Sequence, residues 1–261
     1  MMEIIGYIAS IGIGISLGLI GGGGSILTVP VLVYLFHVEP LLATSYSLFV
    51  VGSTSMVGAI PYFKNKLIDF RTALYFGIPS IITVFLTRHY LINAIPDELF
   101  EVGGMVVTKN MAIMLFFALL MLFASYNMIK SKAILQEEKT SRILPLLLQG
   151  AAVGLISGLV GAGGGFLIIP ALIIFGQMSM KKAVGTSLLI ISANSLIGFL
   201  GKMDVEGMNW GFMLGISAIA IVGILIGARM SQRIDGKKLK PAFGWFVLAM
   251  ATLILLQELF K

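Results

Sequence analysis

Two glycine-rich stretches hold the residues of this chain whose types and spacing best suit ligand binding. The first runs from Gly21 to Ser25, and the second runs from Gly161 to Gly165 with an alanine at its second position. Glycine leaves its backbone N–H open to a ligand. A helix that begins after such a stretch also presents unpaired N–H groups and about half a positive charge. Two such helix starts facing one cavity predict an anion site built without a buried lysine or arginine.

Hydroxyl and amide side chains supply a second set of candidate ligands, clustered at 44–47, 53–55, 186–187 and 192–195. These groups donate hydrogen bonds to oxyanions and cost less to bury than charged side chains. The alternative is that they bond to their own helix or hold neighbouring helices together. The predicted substrate-binding residues are Gly22, Gly23, Gly24, Ser25, Ser45, Tyr46, Ser47, Thr54, Gly163, Gly164, Gly165, Thr186, Ser187 and Asn194.

Other kinds of chemistry are poorly supplied. The chain has no cysteine and two histidines, both near the ends of apolar runs, which disfavours thiol chemistry and metal clusters. The first glycine stretch lacks the Gly-Lys-Ser/Thr ending of a phosphate loop. Arg88 and Arg229 fall near the ends of predicted helices, where long side chains reach water. We therefore expect a protein that is not an enzyme, with no catalytic residue, no metal and no cofactor.

The composition is that of a membrane protein. Hydrophobic residues make up 58% of the chain, charged residues 11%, and the mean hydropathy is +1.02, whereas soluble domains carry about 25% charged residues. The net charge of +6 comes from basic residues in short loops and does not predict nucleic-acid binding. The N-terminus lacks the basic region of a cleaved signal peptide, so we expect a retained first helix in the lipid bilayer.

The chain is an internal duplication. A shift of 140 positions aligns Gly14 with Gly154, and the register continues without a gap to Ser55 and Ser195. Transporter folds are often built from such repeats. The predicted units are a first transmembrane repeat at 1–130, a cytoplasmic linker at 131–142 and a second transmembrane repeat at 143–261.

The apolar runs that hold the glycines, Ile4–Phe36 and Ile143–Phe175, exceed the roughly 20 residues that cross a bilayer. Each glycine weakens a helix by about 1 kcal/mol relative to alanine, so each run should break there into two helical pieces. The alternative is a glycine zipper that packs helices. An interfacial loop with a short helix is predicted at Pro96–Lys109. The full crossings are predicted at Leu41–Phe63, Thr72–Leu91, Met111–Ile129, Lys182–Gly201, Trp210–Met230 and Ala242–Phe260.

The distribution of basic residues predicts how the broken runs sit in the membrane. If each run enters and leaves on one side, fourteen of the 18 lysines and arginines collect on one face, whereas simple crossings divide them nine and nine. The positive-inside rule favours the first arrangement. It predicts an all-α polytopic protein of two inverted repeats, each a re-entrant broken helix plus three transmembrane helices, eight hydrophobic segments in all. The protein would lie in the cell (plasma or inner) membrane with both termini outside.

The motif around the second glycine stretch comprises Gly154, Gly158, Gly161, Gly163–Gly165 and Pro170, followed by the run 183–188, which reads Ala-Val-Gly-Thr-Ser-Leu. This motif resembles that of the TauE/SafE family of sulfite and organosulfonate exporters. The first half departs from it, with Ser25 for the last glycine and Thr-Ser-Tyr-Ser at 44–47. The resemblance extends over essentially the whole chain. It implies transport of a small sulfur-containing anion such as sulfite, sulfoacetate or sulfolactate, usually outward.

These observations together predict a secondary carrier that exports a small inorganic or organosulfonate anion by alternating access. A passive anion channel with the same site is one alternative, and a structural or assembly membrane protein with packing glycines is another. The expected partners are the anion and the lipid bilayer. A homo-oligomer is left open.

Overall fold

The computed structural model describes residues 2–102, 105–130, 143–160, 165–174, 176, 178–201, 208–231 and 236–259, so the predicted linker at 131–142 lies outside the described residues. Helices account for most of this part of the chain. They are α1 (Met2–Ile20), α2 (Ser25–Pro30), α3 (Pro40–Lys64), α4 (Phe70–Leu86), α5 (Ile92–Ala94), α6 (Lys109–Lys130), α7 (Ile143–Val160), α8 (Gly165–Ile174), α9 (Met180–Leu200), α10 (Trp210–Ser231) and α11 (Gly236–Leu259).

Long apolar helices dominate the bundle. Among the described residues, five are long and apolar enough to cross a membrane, at Pro40–Lys64, Phe70–Ala94, Ile143–Val160, Met180–Leu200 and Trp210–Ser231. Their outer faces expose large apolar side chains, such as Leu144 and Leu148 on α7 at 66% and 65% of their surface. Such continuous apolar surface is disfavoured in water but suits contact with lipid. The prediction of an all-α membrane protein is confirmed.

The first glycine stretch breaks its apolar run as predicted. Helix α1 ends at Ile20, Gly22–Gly24 form a single 3₁₀ turn, and α2 begins at Ser25. A π-helical segment, Val31–Leu35, extends α2. Gly21 has a φ of 78°, a left-handed value that favours glycine at this turn.

The segment after the break doubles back along α1. The Phe36 ring, just after the π-helical segment, lies 5.3 Å from the Tyr7 ring between centroids, near the start of α1. The same ring lies against Gly6, where a Cβ would come within 2.5 Å of it. The run Ile4–Phe36 is therefore a hairpin whose two ends lie at the same end of the bundle.

The second glycine stretch falls between two described helices. Helix α7 ends at Val160 and α8 begins at Gly165, which brackets the predicted break, and residues 161–164 lie outside the described part of the chain. Helix α7 is itself one of the five helices long enough to cross a membrane.

Two helix pairs pack through equivalent glycines. Gly14 of α1 lies against the backbone of Ala220 in α10, and Gly154 of α7 lies against the backbone of Ser80 in α4. Both members of the second contact are 140 positions from those of the first. A Cβ on either glycine would overlap the partner carbonyl oxygen. Packing by small residues, weighed above as an alternative for the glycine stretches, therefore holds for these spaced glycines.

The counterpart helices α3 and α9 pack against each other in opposite directions. A Cβ on Gly52 of α3 would lie 2.9 Å from the side chain of Leu196 in α9, and one on Gly58 would lie 3.7 Å from Leu188. The residue number rises along α3 as it falls along α9, so the two helices are antiparallel. Helices α6 and α11 form a further pair of counterparts in contact.

The two ends of the bundle differ in composition. We call one end the basic end because it holds Lys64, Lys66 and Lys181. These lysines share an end because the start of α9 meets the end of α3: a Cβ on Gly185 would lie 2.6 Å from the carbonyl oxygen of Leu67.

We call the opposite end the aromatic end. It is defined by the Phe36, Phe212 and Trp210 rings: Phe36 packs on Phe212 with 5.0 Å between centroids, and Trp210 packs 6.0 Å from Phe199. These rings pack where the π-helical segment and α9 end and where α10 begins.

The segment before α6 differs from its prediction. Instead of a short helix, Glu98–Val102 (β1) pairs antiparallel with Met105–Thr108 (β2). The reason is local, because strand-forming residues flank a Gly-Gly pair, which favours a tight hairpin turn. Asp97 before β1 forms an ion pair with Lys109 at 2.7 Å. The hydrogen bond and then the charge of that lysine hold the pKa of Asp97 below its ordinary value.

Two neighbouring glycines of α1 test the packing. Gly14→Ala should lower the free energy of unfolding by about 1–3 kcal/mol, because the new methyl group forces α1 away from α10. Gly12 has no atom within 4 Å of its Cβ position, so Gly12→Ala should be neutral or stabilising by up to about 1 kcal/mol. Melting temperatures of the two purified variants measure the difference. Equal effects at both positions would contradict the α1–α10 contact.

The hairpin model makes a topological prediction. The chain has no cysteine, so single cysteines introduced at Lys66, Lys181 and Lys109 can be labelled with a membrane-impermeant maleimide. We expect Lys66→Cys and Lys181→Cys to react from the cytoplasmic face, because both lie at the basic end, and Lys109→Cys to react from outside. Reaction of the first two from opposite faces would rule out this arrangement.

Candidate functional site

The two glycine stretches meet in the interior of the bundle. Gly22 lies so close to the backbone of Gly165 that a Cβ on Gly22 would overlap the Gly165 carbonyl group, and a Cβ on Gly165 would lie 2.6 Å from the Gly22 Cα. Gly23 belongs to the same turn as Gly22, and Gly24 packs on α1. Gly163 and Gly164 lie outside the described residues. The first break thus touches the start of α8 directly, and this contact leaves no room for a side chain.

Three predicted hydroxyls bond to their own helices. Ser25 donates to the carbonyl of Gly22 at 2.7 Å, Ser45 donates weakly to Leu41 at 3.4 Å, and Ser187 donates to Val184 at 2.9 Å. Each uses its single hydrogen in that bond, which is the local role weighed as an alternative for these residues. The Ser187 oxygen still faces the first break, 2.9 Å from the position of a Cβ on Gly21.

Two other predicted residues brace the starts of neighbouring helices. Asp69 precedes α4, and its backbone N–H donates to the Thr186 hydroxyl at 2.9 Å. Asn209 precedes α10, and its backbone N–H donates to the Tyr46 hydroxyl at 2.6 Å. Asp69 and Asn209 also cap their helices, accepting from Thr72 and Phe212 respectively. The two arrangements are related throughout by the shift of 140 positions.

The remaining predicted side chains, Ser47, Thr54 and Asn194, are buried with polar atoms that lack partners. The hydroxyls of Ser47 and Thr54 make no hydrogen bond, and Asn194 donates to Ser80 at 2.5 Å while its own oxygen accepts none. Ser55 and Ser195, at equivalent positions in the two halves, are likewise buried and unpartnered. All five lie along α3 and α9. Buried polar groups without partners are rare and costly, so these two helices carry hydrogen-bonding capacity that their own fold does not use.

Arg88 is a buried candidate site residue that the sequence analysis left out of the predicted site. It lies in a π-helical segment, Thr87–Leu91, between α4 and α5, and its side chain has 0% exposure. Its Nη1 donates to the Thr44 hydroxyl at 3.0 Å, while Nε and Nη2 have no partner. The expectation that Arg88 reaches water at a helix end is wrong, because the helix continues to Ala94. The sequence could have indicated this burial, because the residues after Arg88 are compatible with a helix that continues beyond it.

Two surface grooves lie elsewhere. One of about 530 Å³ is lined by Arg71, Leu74, Tyr75 and neighbouring residues of α4 and α7, and another of about 390 Å³ is lined by residues that include Thr83, Leu91 and Leu155. None of the unpartnered residues of α3 and α9 lines either groove. Within the described residues, no three histidine, cysteine or acidic side chains come together as metal ligands.

Fold and site together define a class of protein: a helical membrane protein with a duplicated helix arrangement and a buried polar lining between its central helices. The family model of the sulfite exporter TauE/SafE family matches residues 7–254. The chain therefore belongs to the TauE/SafE family, as its motifs suggested.

Curated relatives carry transporter names. A probable membrane transporter protein of Xylella fastidiosa (strain Temecula1) is 29% identical over 97% of both chains. The probable membrane transporter protein YunE of Bacillus subtilis is 29% identical over 84% of this chain and 85% of its own. A probable membrane transporter protein of Methanocaldococcus jannaschii is 25% identical over 92% and 89%. No solved structure matches this chain significantly.

The helix braces can be tested by mutation. Thr186→Val removes the acceptor for the Asp69 N–H, so the free energy of unfolding should fall by about 1–3 kcal/mol, the cost of a partly buried donor left unpaired. Thr186→Ser keeps the hydroxyl and should behave nearly as wild type. Thermal unfolding of the two proteins gives the comparison. A Thr186→Val variant as stable as the serine variant would remove Thr186 from this bracing role.

Proposed function

We propose that this chain is a secondary carrier that exports a small sulfur-containing oxyanion, such as sulfite or an organosulfonate, by alternating access. The carrier consists of two inverted repeats, 1–130 and 143–261, joined by a cytoplasmic linker at 131–142. It lies in the cell membrane with both termini outside. The anion binds near the midplane, close to the glycine stretches and the hydroxyls of α3 and α9.

The inverted arrangement is supported by the direction of the counterpart helices. Helices α3 and α9 are antiparallel although they occupy equivalent positions in the two repeats, and the α1–α10 contact recurs as α7–α4. Inverted repeats commonly place their substrate at the repeat interface, near broken helices. The contact of Gly22 with Gly165 brings the two breaks to such an interface.

The observation that carries the proposal is the set of buried hydroxyls without partners at Ser47, Thr54, Ser55 and Ser195. A hydroxyl without a partner has a hydrogen to donate to an oxyanion and lone pairs that suit a cation, so the neighbouring charge decides between them. The buried charge of the described bundle favours an anion, because Arg88 is its fully buried charged side chain. The choice of a sulfur-containing anion rests on the family's description as sulfite exporters.

Export of an anion is favourable without a coupling ion when the cell interior is negative. The membrane potential contributes about 2.3 kcal/mol per charge for each 100 mV. A passive channel built on the same residues would exploit the same gradient. A packing protein without a ligand is the other alternative, and the α1–α10 glycine contact taken alone would fit it.

Transport by reconstituted protein tests the proposal. Proteoliposomes preloaded with sulfite should take up ³⁵S-sulfite by exchange, with a rate that saturates with concentration. Exchange distinguishes a carrier from a channel, whose flux follows the gradient. Absence of both exchange and flux for sulfite, methanesulfonate and sulfoacetate would contradict anion transport.

A matched pair of serines tests the site. Ser47→Ala should weaken sulfite binding by about 1.5–3 kcal/mol, the worth of a hydrogen bond to a charged group. Ser53 lies on the same helix, but its hydroxyl is bonded to the Phe49 carbonyl at 2.8 Å, so Ser53→Ala should leave affinity unchanged. Ligand-dependent melting of the purified proteins reports both affinities. Equal affinity in the two variants would return Ser47 to a packing role.

A further inference from the structure

The guanidinium of Arg88 has one occupied and one free side. Nη1 is held by Thr44 of α3 at 3.0 Å, whereas Nε and Nη2 have no partner. Nε and Nη2 form one edge of the planar group, and their N–H bonds point the same way, at the spacing of two oxygens on one acid group. We propose that this free edge of Arg88 is the site that binds two oxygens of the transported oxyanion and balances its charge. This inference rests on the proposed function.

The charge of Arg88 is not balanced by the protein. No carboxylate oxygen lies within 4.0 Å of it in the part of the chain that the structure describes. The acidic residues nearest in sequence to Thr44 and Arg88 have other partners: Glu39 accepts from Asn110 at 3.1 Å, and Asp97 pairs with Lys109. A fully buried cation without a counter-charge is strongly unfavourable, and within a membrane such residues mark ligand or ion pathways. A bound anion supplies the missing charge.

The side chain of Arg88 contacts other helices at both its base and its tip. Its Cβ lies 3.4 Å from where a Cβ on Gly201 would be, at the end of α9, and its tip reaches Thr44 near the start of α3. The side chain therefore spans from the α9 side of the bundle to α3. Ser47 lies three residues after Thr44 and therefore on the same side of α3. Its unpartnered hydroxyl is the second donor that we assign to an anion held on the Arg88 edge.

The Arg88–Thr44 arrangement occurs in the first repeat and has no equivalent at the matching positions of the second. The position equivalent to Arg88 is Ala228, and the position equivalent to Thr44 is Val184. The second repeat therefore has neither the cation nor the hydroxyl that orients it. Since Thr44 lies near the start of α3, Arg88 approaches the site from the aromatic end. One fixed cation balances one negative charge of the bound anion.

The alternative is that Arg88 only bridges α3 and α4 through Thr44. The two readings differ in the protein without ligand. A structural bridge makes the empty protein depend on Arg88, whereas a binding site leaves an unbalanced charge in the empty protein. Arg88→Gln should then melt no lower than wild type in low-salt buffer free of sulfonates.

Affinities for sulfite, methanesulfonate and bromide give the decisive measurement. Arg88→Lys keeps the charge but loses the two-oxygen geometry, so we expect both oxyanions to bind about tenfold to a hundredfold more weakly and bromide to bind about as well as in wild type. Arg88→Gln should lose all three. Arg71→Gln is the matched control, because Arg71 lies exposed at the other end of the same helix and should change none of them.

The outcomes separate the two proposals. If wild type binds sulfite and Arg88→Lys binds it equally well, the Arg88 site is wrong and the carrier proposal stands. If wild type binds neither sulfite nor methanesulfonate, the carrier proposal itself fails. If neither Arg88 variant folds, or both melt well below wild type, Arg88 is a structural bridge and this inference is overturned.

Discussion

Backbone that is not helical cannot face lipid, and this constraint shapes the rest of the structure. The turn at Gly22–Gly24 interrupts an apolar run and leaves N–H and C=O groups that hydrocarbon cannot satisfy. The bundle encloses this turn with Gly165 on one side and α1 on the other. Glycine is needed twice over, for the turn itself and for the approach of the opposing backbone. Helices α8 and α9 lie against the turn as well.

Much of this frame could be predicted from the sequence, because duplication and apolar length are visible in one chain. The first break, the location of the main helices and the membrane class follow from them. The strands β1 and β2 were missed because the acidic residues of Pro96–Lys109 favoured an interfacial loop with a short helix over strands. The end of the helix at Leu91 was also wrong, since a π-helical segment carries it to Ala94.

The candidate site was predictable in position but not in detail. Residue type places Ser47, Thr54 and Asn194 on α3 and α9, yet it cannot reveal which hydroxyls bond to their own helix. Ser187 does so whereas its counterpart Ser47 does not. Tyr46 and Thr186 contact helix starts more than a hundred residues away. Such partners depend on tertiary packing and leave no local pattern.

The α1–α10 contact has a consequence for how the chain is made. The glycine face of α1 packs on a helix of the other repeat, about two hundred residues later in the sequence. At about 5–20 residues per second, a ribosome needs on the order of 10–40 s to reach α10 after α1 has emerged. During that interval the stripe that includes Gly14 has no native neighbour, and α1 must be retained in the bilayer or by the insertion machinery. Helix α1, which is synthesised before the other described helices, is thus among the last of them to reach its final contacts.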